Sequence, residues 1–412
     1  MRQIVYATGS AVACEPYTHR MVGHVLRTAA NRNYSIRLLV PDAPETLDAT
    51  LLMQMIRSGK AGSVQVSIEP SQSILPPAAP GSVLLFAGSL DYWRIAMRSS
   101  RTIRQYKKVF WVQGIESDES FMKHNSILRR LAVSIIESTA MMASSVIICP
   151  SDAMTATLLS RYPFLQRKTF VTIPNLADLR TVPERDPLLW GFKESPRLVL
   201  GYSGGLSRWQ CFAEMCRVVA EVQNQIPDAW FFVLTRHEDE AEDLLRRYGV
   251  KRYRIRSTTT DQVVNYVSSF DMGFLLRRDH IVNRVACPMK WLEYWQCGVP
   301  LVTTHAVKII SEARGSEFNC TVDLHNVKSA AKRIVEYTAL SNTARSRIRS
   351  ELTRCVEDNW TWPIGLRSVE DFFDALEIRN IRYQRLLWKE RCVPCPGYGP
   401  QEMSSLKLQT FA

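Results

Sequence analysis

The segment GYSGGLSRWQ, residues 201–210, follows an apolar run and precedes a helical one. Its adjacent Gly204 and Gly205 let the backbone approach a phosphate, a helix start presents unpaired N–H groups, and Arg208 adds positive charge. Plain turn chemistry accounts for a Gly-Gly pair equally well. A second constellation is LLRRDHIVNRVACPMKWLEYWQCGVPLVTT, residues 275–304, which reads as a strand, an irregular loop, a short helix beginning near Pro288 and a further strand after Gly298. Lys290 and Glu293 are three apart and share a helix face near its amino-terminal end. There a cation can reach a diphosphate and a carboxylate can accept hydrogen bonds from a ribose. The alternative is a solvated Lys/Glu pair.

Two other segments carry usable charge. VFWVQGIESDESF, residues 109–121, runs from a strand into an acidic loop that starts with Gln113 and Gly114. Glu116, Asp118 and Glu119 either include a base for an incoming hydroxyl or form an acidic cap on a helix spanning residues 121–143. Between residues 90 and 108, Arg94, Arg98, Arg101, Arg104 and Lys108 fall within ~120° of one another if the segment is one α-helix, with Tyr92, Ile95, Ile103 and Tyr106 on the opposite face. Such a stripe either faces anionic lipids or a lipid diphosphate, or is an ordinary solvated face. The pair Cys392 and Cys395 stands alone, and the seven histidines show no metal or triad spacing. His280 lies within the second constellation. Met141 and Met142, and Trp291 with Trp295, read as core or domain-contact residues.

These residues need rigid elements to hold them. Apolar runs at 4–7, 36–40, 83–86 and 109–112 alternate with helical stretches, as in a parallel sheet covered on both faces, and the alternation ends with the run 170–173. PNLADLRTVPERDPLLWGFKESP then reads as a connection, rich in proline and charge. A second alternation uses runs at 198–202, 230–234, 253–255, 272–276 and 301–304. The expected fold class is therefore α/β, with two doubly wound Rossmann-like domains at 1–180 and 181–360 and ligands at the carboxyl ends of the strands. Residues 361–390 read as helices returning to the first domain, and 391–412 as a mobile tail. The chain of 412 residues is 46% hydrophobic and 22% charged, which suits two cored domains and excludes disordered and disulfide-scaffold classes. A net charge of +12 suits anionic partners and falls short of a nucleic-acid binder. Ten cysteines scattered through apolar runs point to a reducing compartment, and no apolar run is long enough to span a membrane.

Taken together, the two constellations resemble the retaining group 1 (family 4) glycosyltransferases of GT-B fold. In that family the second domain opens with a strand and a glycine-containing phosphate loop, then shows a Pro, a Glu and a Gly-x-Pro before a strand. Here these fall at Gly204-Gly205, Pro288, Glu293 and Gly298-Val299-Pro300. The pattern N-x-V-A-x-P-x-K-x-x-E-Y at residues 283–294 is similar to a subgroup acting in surface-polysaccharide assembly. The resemblance covers most of residues 109–380, specifically in the second domain and loosely in the first.

The resemblance implies two domains facing across a cleft, a nucleoside-diphosphate sugar as donor, a saccharide or lipid-linked acceptor, retention of configuration and no bound metal or other cofactor. Glu293 would hold the donor ribose. The loop from Val285 to Lys290 would approach diphosphate and sugar, so Asn283, Val285 and Ala286 join Gly204 and Gly205 as donor-binding candidates. Arg208 and Lys290 would stabilise the departing diphosphate, Gln113, Gly114 and Glu116 would face the acceptor, and Asn175 matches a recurrent family word. A cytoplasmic enzyme, peripheral at the inner membrane face, is the implied setting. Two positions depart from the pattern: Val285 replaces the first of the family's paired glutamates, and Gly205 replaces its usual arginine. A nucleotide-sugar epimerase of the same fold and a catalytically impaired scaffold subunit therefore remain alternatives.

Overall fold

Short runs of branched and aromatic side chains become strands buried on both faces, as in Val83–Phe86, Val146–Cys149 and Thr169–Thr172, where every residue is buried. The computed structural model describes residues 2–8, 16–40, 65–178, 181–183, 187–192, 196–259, 262–377, 385–386 and 388. Cys14, the Cys392 and Cys395 pair and the expected tail at 391–412 lie outside the described residues.

Along the chain the elements are β1 (Gln3–Ala7), α1 (Pro16–Asn31), β2 (Ser35–Val40), β3 (Val66–Pro70), β4 (Val83–Phe86), α2 (Ser89–Arg98), β5 (Lys107–Trp111), α3 (Glu116–His124), α4 (Ile127–Ala143), β6 (Val146–Cys149), α5 (Asp152–Arg161) and β7 (Thr169–Thr172). They continue with β8 (Leu198–Ser203), α6 (Phe212–Gln225), β9 (Ala229–Leu234), α7 (Glu238–Arg247), β10 (Tyr253–Arg256), α8 (Val263–Val267) and β11 (Met272–Leu275). After these come α9 (Ile281–Arg284), α10 (Lys290–Gln296), β12 (Leu301–Thr303), α11 (Lys308–Ser311), β13 (Cys320–Thr321), α12 (Val327–Thr338), α13 (Asn342–Asn359), α14 (Trp362–Glu377) and β14 (Arg385–Leu386).

The chain divides into two compact units. The first comprises Met1–Asp178, His280–Met289 and Trp362–Trp388, and the second Leu179–Asp279 with Lys290–Thr361. The first holds an all-parallel sheet in the order β14-β7-β6-β5-β4-β1-β2-β3, and the second an all-parallel sheet in the order β10-β9-β8-β11-β12-β13. In the second sheet the strand order reverses between β8 and β11. At such a switch point the loops leaving the two strands diverge and open a crevice at the carboxyl edge. Two doubly wound α/β units are what the alternating apolar runs predict.

The division of the chain corrects one expectation. Residues His280–Met289 belong to the first unit, not to a domain at 181–360. Val285 is buried in that unit's core among Ile115, Met154 and Cys149, because a branched apolar side chain is stabilised there by burial. The loop's carbonyls are held too: Ser151 Oγ donates to the Val285 oxygen at 2.6 Å and Asn175 Nδ2 donates to that of Cys287.

Helix α14 lies on the first unit. Arg2 pairs with Glu377 at 2.8 Å, Arg32 pairs with Glu370 and with Asp374, and Trp362 stacks on His24 at 4.2 Å between centroids.

The expected single helices at 90–108 and 121–143 are both divided. The first is α2, a 3-10 turn over Thr102–Gln105 and then β5, so Lys108 is a strand residue and the five cations do not form one helical stripe. Tyr106 in extended conformation ends the turn and starts the strand. The second is interrupted at Asn125, whose left-handed backbone (φ 50°) ends α3, while Ser126 starts α4 by accepting from the Arg129 N–H at 3.3 Å.

Candidate anion-binding site

The second unit brings Tyr202, Gly204, Gln210, Arg277, Lys290 and Tyr294 together at the carboxyl ends of β8 and β11. Gly273 of β11 makes room for this: a Cβ there would lie 2.6 Å from Cδ2 of Tyr294. Tyr294 can therefore cross the sheet, and its hydroxyl accepts from the Ser203 N–H at 2.7 Å. Tyr202 donates from its own hydroxyl to the Gly205 carbonyl, which fixes the start of the loop.

Lys290, the first residue of α10, points back into this loop. Its ammonium donates to the Tyr202 hydroxyl at 3.0 Å and to Oε1 of Gln210 at 2.9 Å, and lies 4.5 Å from the Tyr202 ring centroid. Arg277, 4% exposed, directs Nη1 at the Leu276 carbonyl at 3.0 Å. Neither cation has a salt bridge among the described residues. Desolvation holds the Lys290 ammonium well below the usual lysine pKa, with the neighbouring Arg277 charge acting in the same direction and Glu293 opposing both. Burial likewise lowers Arg277. Two poorly hydrated cations that form no salt bridge, offset in part by Glu293, leave a positive potential that an approaching anion would lower.

Gly204 is what lets Lys290 in. Its φ of 131° lies where side chains other than glycine are strained, and a Cβ would collide with the Lys290 ammonium. Gly204→Ala is expected to destabilise the fold by about 1 to 3 kcal/mol, which thermal denaturation measures.

Of the donor-side candidates, the structure joins Gly204 and Lys290 directly. Glu293 is half-buried one turn further along α10 and close enough to influence the Lys290 charge. Arg208 is exposed on the 3-10 turn Arg208–Gln210, and among the described residues no hydrogen bond or ion pair joins it to Lys290 or Arg277. Asn283, Val285 and Ala286 lie on or beside α9 in the first unit. Val285 in particular offers a ligand no side chain, being a core residue. His280 caps α9, its Nδ1 accepting from the Val282 N–H at 3.3 Å.

Sequence reasoning missed Tyr202, Gln210 and Arg277. Arg277 had a readable signal, since it stands two residues past the end of a strand, at the edge where such folds bind ligands. Its neighbour Arg278 instead pairs with Glu214.

On the first unit, Gln113 is exposed and Gly114 half-buried. Glu116 acts as a helix cap, the second of its two expected readings, though on α2: the Ser89 N–H donates to its Oε1 at 2.8 Å and the Ser89 hydroxyl to its Oε2, so the carboxylate fixes the start of α2. Asp118 pairs with Arg130 at 2.8 Å and with Arg161 at 2.5 Å. Glu119 lies over Gly114, where a Cβ would strike its carboxylate, and burial raises its pKa. Beneath them is a carboxyl the sequence reading did not find. Glu137, on α4 and fully buried, accepts from the Glu116 N–H at 2.9 Å and the Ser117 hydroxyl at 3.0 Å. Burial, then the Glu116 charge, pushes its pKa up to about 7.

Met141 is core while Met142 is 47% exposed, and Trp291 and Trp295 are buried edge to face at 5.0 Å. Among the described residues no group of three His, Cys, Asp or Glu side chains is placed to hold a metal ion.

No protein-family model matches the sequence, and no curated relative does either. Solved structures do resemble the chain. Anabaena Alr3699/HepE, in complex with UDP-glucose, aligns over 91% of this chain and 100% of its own with a TM-score of 0.66 at 13% identity. WaaG, a glycosyltransferase involved in lipopolysaccharide biosynthesis, aligns over 90% and 99% with a TM-score of 0.58 at 11% identity. S. aureus TarM, in complex with fondaparinux, alpha-GlcNAc-glycerol and UDP, aligns over 72% of this chain with a TM-score of 0.53 at 10% identity, and the chain spans 55% of TarM's length. These likenesses establish the fold as that of the GT-B glycosyltransferases.

Proposed function

We propose that the chain is a glycosyltransferase that moves a sugar, a hexose or another, from a nucleoside-diphosphate sugar to a saccharide or lipid-linked acceptor. The proposal includes retention of configuration, in the manner of the family 4 enzymes, and a role in surface-polysaccharide assembly. The observation that carries it is the pair of buried cations without a salt bridge among the described residues, Lys290 and Arg277, beside the glycine loop at the β8/β11 switch point. The fold supports the reading, since the similar HepE holds UDP-glucose and the similar TarM holds UDP. The surface-polysaccharide part draws on the resemblance at residues 283–294 and on the lipopolysaccharide role of the similar WaaG.

In this reading the Lys290 ammonium and the N–H groups after β8 meet the diphosphate, and Arg277 adds positive potential from behind. Glu293 holds the ribose, and Arg208 reaches in from the exposed turn. As the glycosidic bond breaks, negative charge grows on the departing diphosphate, and each well-aimed donor contributes about 3 to 4 kcal/mol to lowering the barrier. Gln113 and Gly114 face the acceptor, with Glu119 the carboxylate available beside them. No metal takes part in the proposal. Calorimetric titration with UDP and GDP in the presence of EDTA is expected to show binding of at least one of them, and heat from neither would end the donor-site reading.

The scaffold-subunit reading keeps one observation in its favour, since Val285 is committed to the core where the family has a sugar-contacting glutamate. Gly205 does not argue for it in the same way, because a Cβ there would meet open space and an arginine is not sterically barred. An inert chain that binds neither nucleotide would fit the scaffold.

The proposed setting is cytoplasmic and peripheral, at the inner face of an anionic membrane that Arg94, Arg98, Arg101, Arg104 and Lys108 would meet. No helix among the described residues is long and apolar enough to cross a membrane. Arg94, Arg98, Arg101 and Arg104 are exposed, whereas Lys108 is half-buried in β5 and its pKa is lowered by burial.

A further inference from the structure

Of the twelve large apolar side chains exposed among the described residues, eight belong to two neighbouring helices of the first unit. Helix α4 contributes Ile127, Leu128 (81% exposed), Leu131, Ile135 (64%) and Met142, and α2 contributes Leu90, Trp93 and Met97 (73%). At 100° per residue, Leu128, Leu131, Ile135 and Met142 fall within about 60° of one another, as do Leu90, Trp93 and Met97. The two ridges meet where the Trp93 indole N–H donates to the Thr139 hydroxyl at 3.2 Å, at the gap between Ile135 and Met142.

The charge beside these ridges has one sign. Arg94, Arg98, Arg101, Arg104 and Arg129 are exposed, whereas Asp91 and Glu137, the two carboxylates within residues 89–106 and 126–143, are both buried, Asp91 pairing with Arg94 at 3.5 Å. Exposed apolar side chains in continuous rows on a soluble surface mark a contact, and a rim of arginines with no exposed carboxylate selects an anionic one. A second copy of the chain is a poor occupant, because a two-fold contact would set these arginines against themselves.

We infer that this face inserts into an anionic lipid bilayer, with the α4 ridge and Trp93 at the boundary of the hydrocarbon and the arginines at the head groups. The inference extends the membrane-surface part of the proposal above and changes its physics. The principal contact is apolar insertion by α4, a helix that the sequence reading did not connect with a membrane, and the arginines supply orientation and lipid preference. It stands on α2 and α4 and is independent of the donor site.

Co-sedimentation of the full chain with phosphatidylcholine vesicles, with and without about one third phosphatidylglycerol, at ~0.1 M and ~1 M salt, tests it. Binding to the anionic vesicles is expected to weaken at high salt yet persist, because insertion is not screened. Leu128→Glu with Ile135→Glu is expected to cut binding by about tenfold or more under both salt conditions. Arg94→Gln with Arg98→Gln should weaken binding to anionic vesicles while leaving neutral ones unaffected. Both substituted apolar positions face solvent, and an unchanged melting temperature for the glutamate variant would show that its fold persists. Should that variant fold poorly, quenching of tryptophan fluorescence by brominated lipid in the unmodified chain, expected to fall in Trp93→Phe, carries the test. The inference is overturned if the glutamate variant binds vesicles as well as the unmodified chain, if quenching is unchanged in Trp93→Phe, or if ultracentrifugation without vesicles finds a dimer that the glutamates dissociate.

Discussion

Lys290→Met is expected to raise the melting temperature while weakening UDP binding by about ten- to a hundredfold, the equivalent of losing a charge-assisted hydrogen bond of about 1.5 to 3 kcal/mol. The two effects have one cause. In the empty site the ammonium is poorly hydrated and stands near the Arg277 charge, so it carries a depressed pKa and removing it relieves the fold. Phosphate charge reverses the balance and draws the proton back. UDP binding should accordingly take up protons wherever Lys290 has lost its own in the absence of nucleotide, and affinity should fall as pH rises through that range. Calorimetry in buffers of different ionisation enthalpy measures the uptake, and a melting scan measures the gain. A destabilised variant with undiminished UDP affinity would make Lys290 a structural residue and remove the central support for the donor site.

The second large effect is a pH dependence centred on Glu137. Its carboxyl is raised from 4.5 to about 7 in the folded chain, chiefly by burial. A folded pKa above the unfolded one means that the native state binds the proton more tightly. The stability contribution is therefore complete below about pH 4.5 and is lost as pH rises through 7, on the order of 3 kcal/mol in all. Glu137→Gln keeps the shape and the acceptor for the Glu116 N–H but does not titrate. Denaturant unfolding at pH 5 and pH 8 should show the natural chain losing stability relative to this variant by that amount. Parallel curves would mean that Glu137 keeps an ordinary carboxylate pKa. The contact joins two elements, because Glu137 accepts from the first N–H of α3 and Glu116 in turn accepts from the first N–H of α2.

Much of this architecture was legible before any coordinates. The strands β1, β2, β4, β5, β7, β8, β9, β11 and β12 fall on the apolar runs that announce them, because a strand buried on both faces is dominated by apolar residues, while β10, with its two arginines exposed, falls on the short run 253–255. Strand β3, with half of its side chains accessible, and the short β13 gave no such run. The division at Asn125-Ser126 was readable as a helix stop followed by a helix start, yet the apolar content on either side hides it. The supposed basic helix failed for a related reason: a periodicity of 100° can be drawn through five cations whether or not the backbone between them is helical, and Lys107 to Trp111 is drawn into the sheet by pairing with β4 and β6.

The sequence by itself determined what depends on neighbours along the chain: the type of most elements, the glycine loop after β8, and the placing of Lys290 at the start of a helix. Only the tertiary structure decided how those groups are charged and which side of the molecule each one serves. Lys290 reaches Tyr202 across 88 residues of sequence, and desolvation and the nearby Arg277 set its pKa only after that approach. Val285 is one residue from Ala286 and five from Lys290, yet its burial places it in the core of the other unit. Secondary structure follows from side-chain period and short-range sterics, which a string of residues displays. Burial, Coulomb energy and the exposure of the α4 ridge depend on the distances between residues remote in that string, and those distances come into being only when the chain packs.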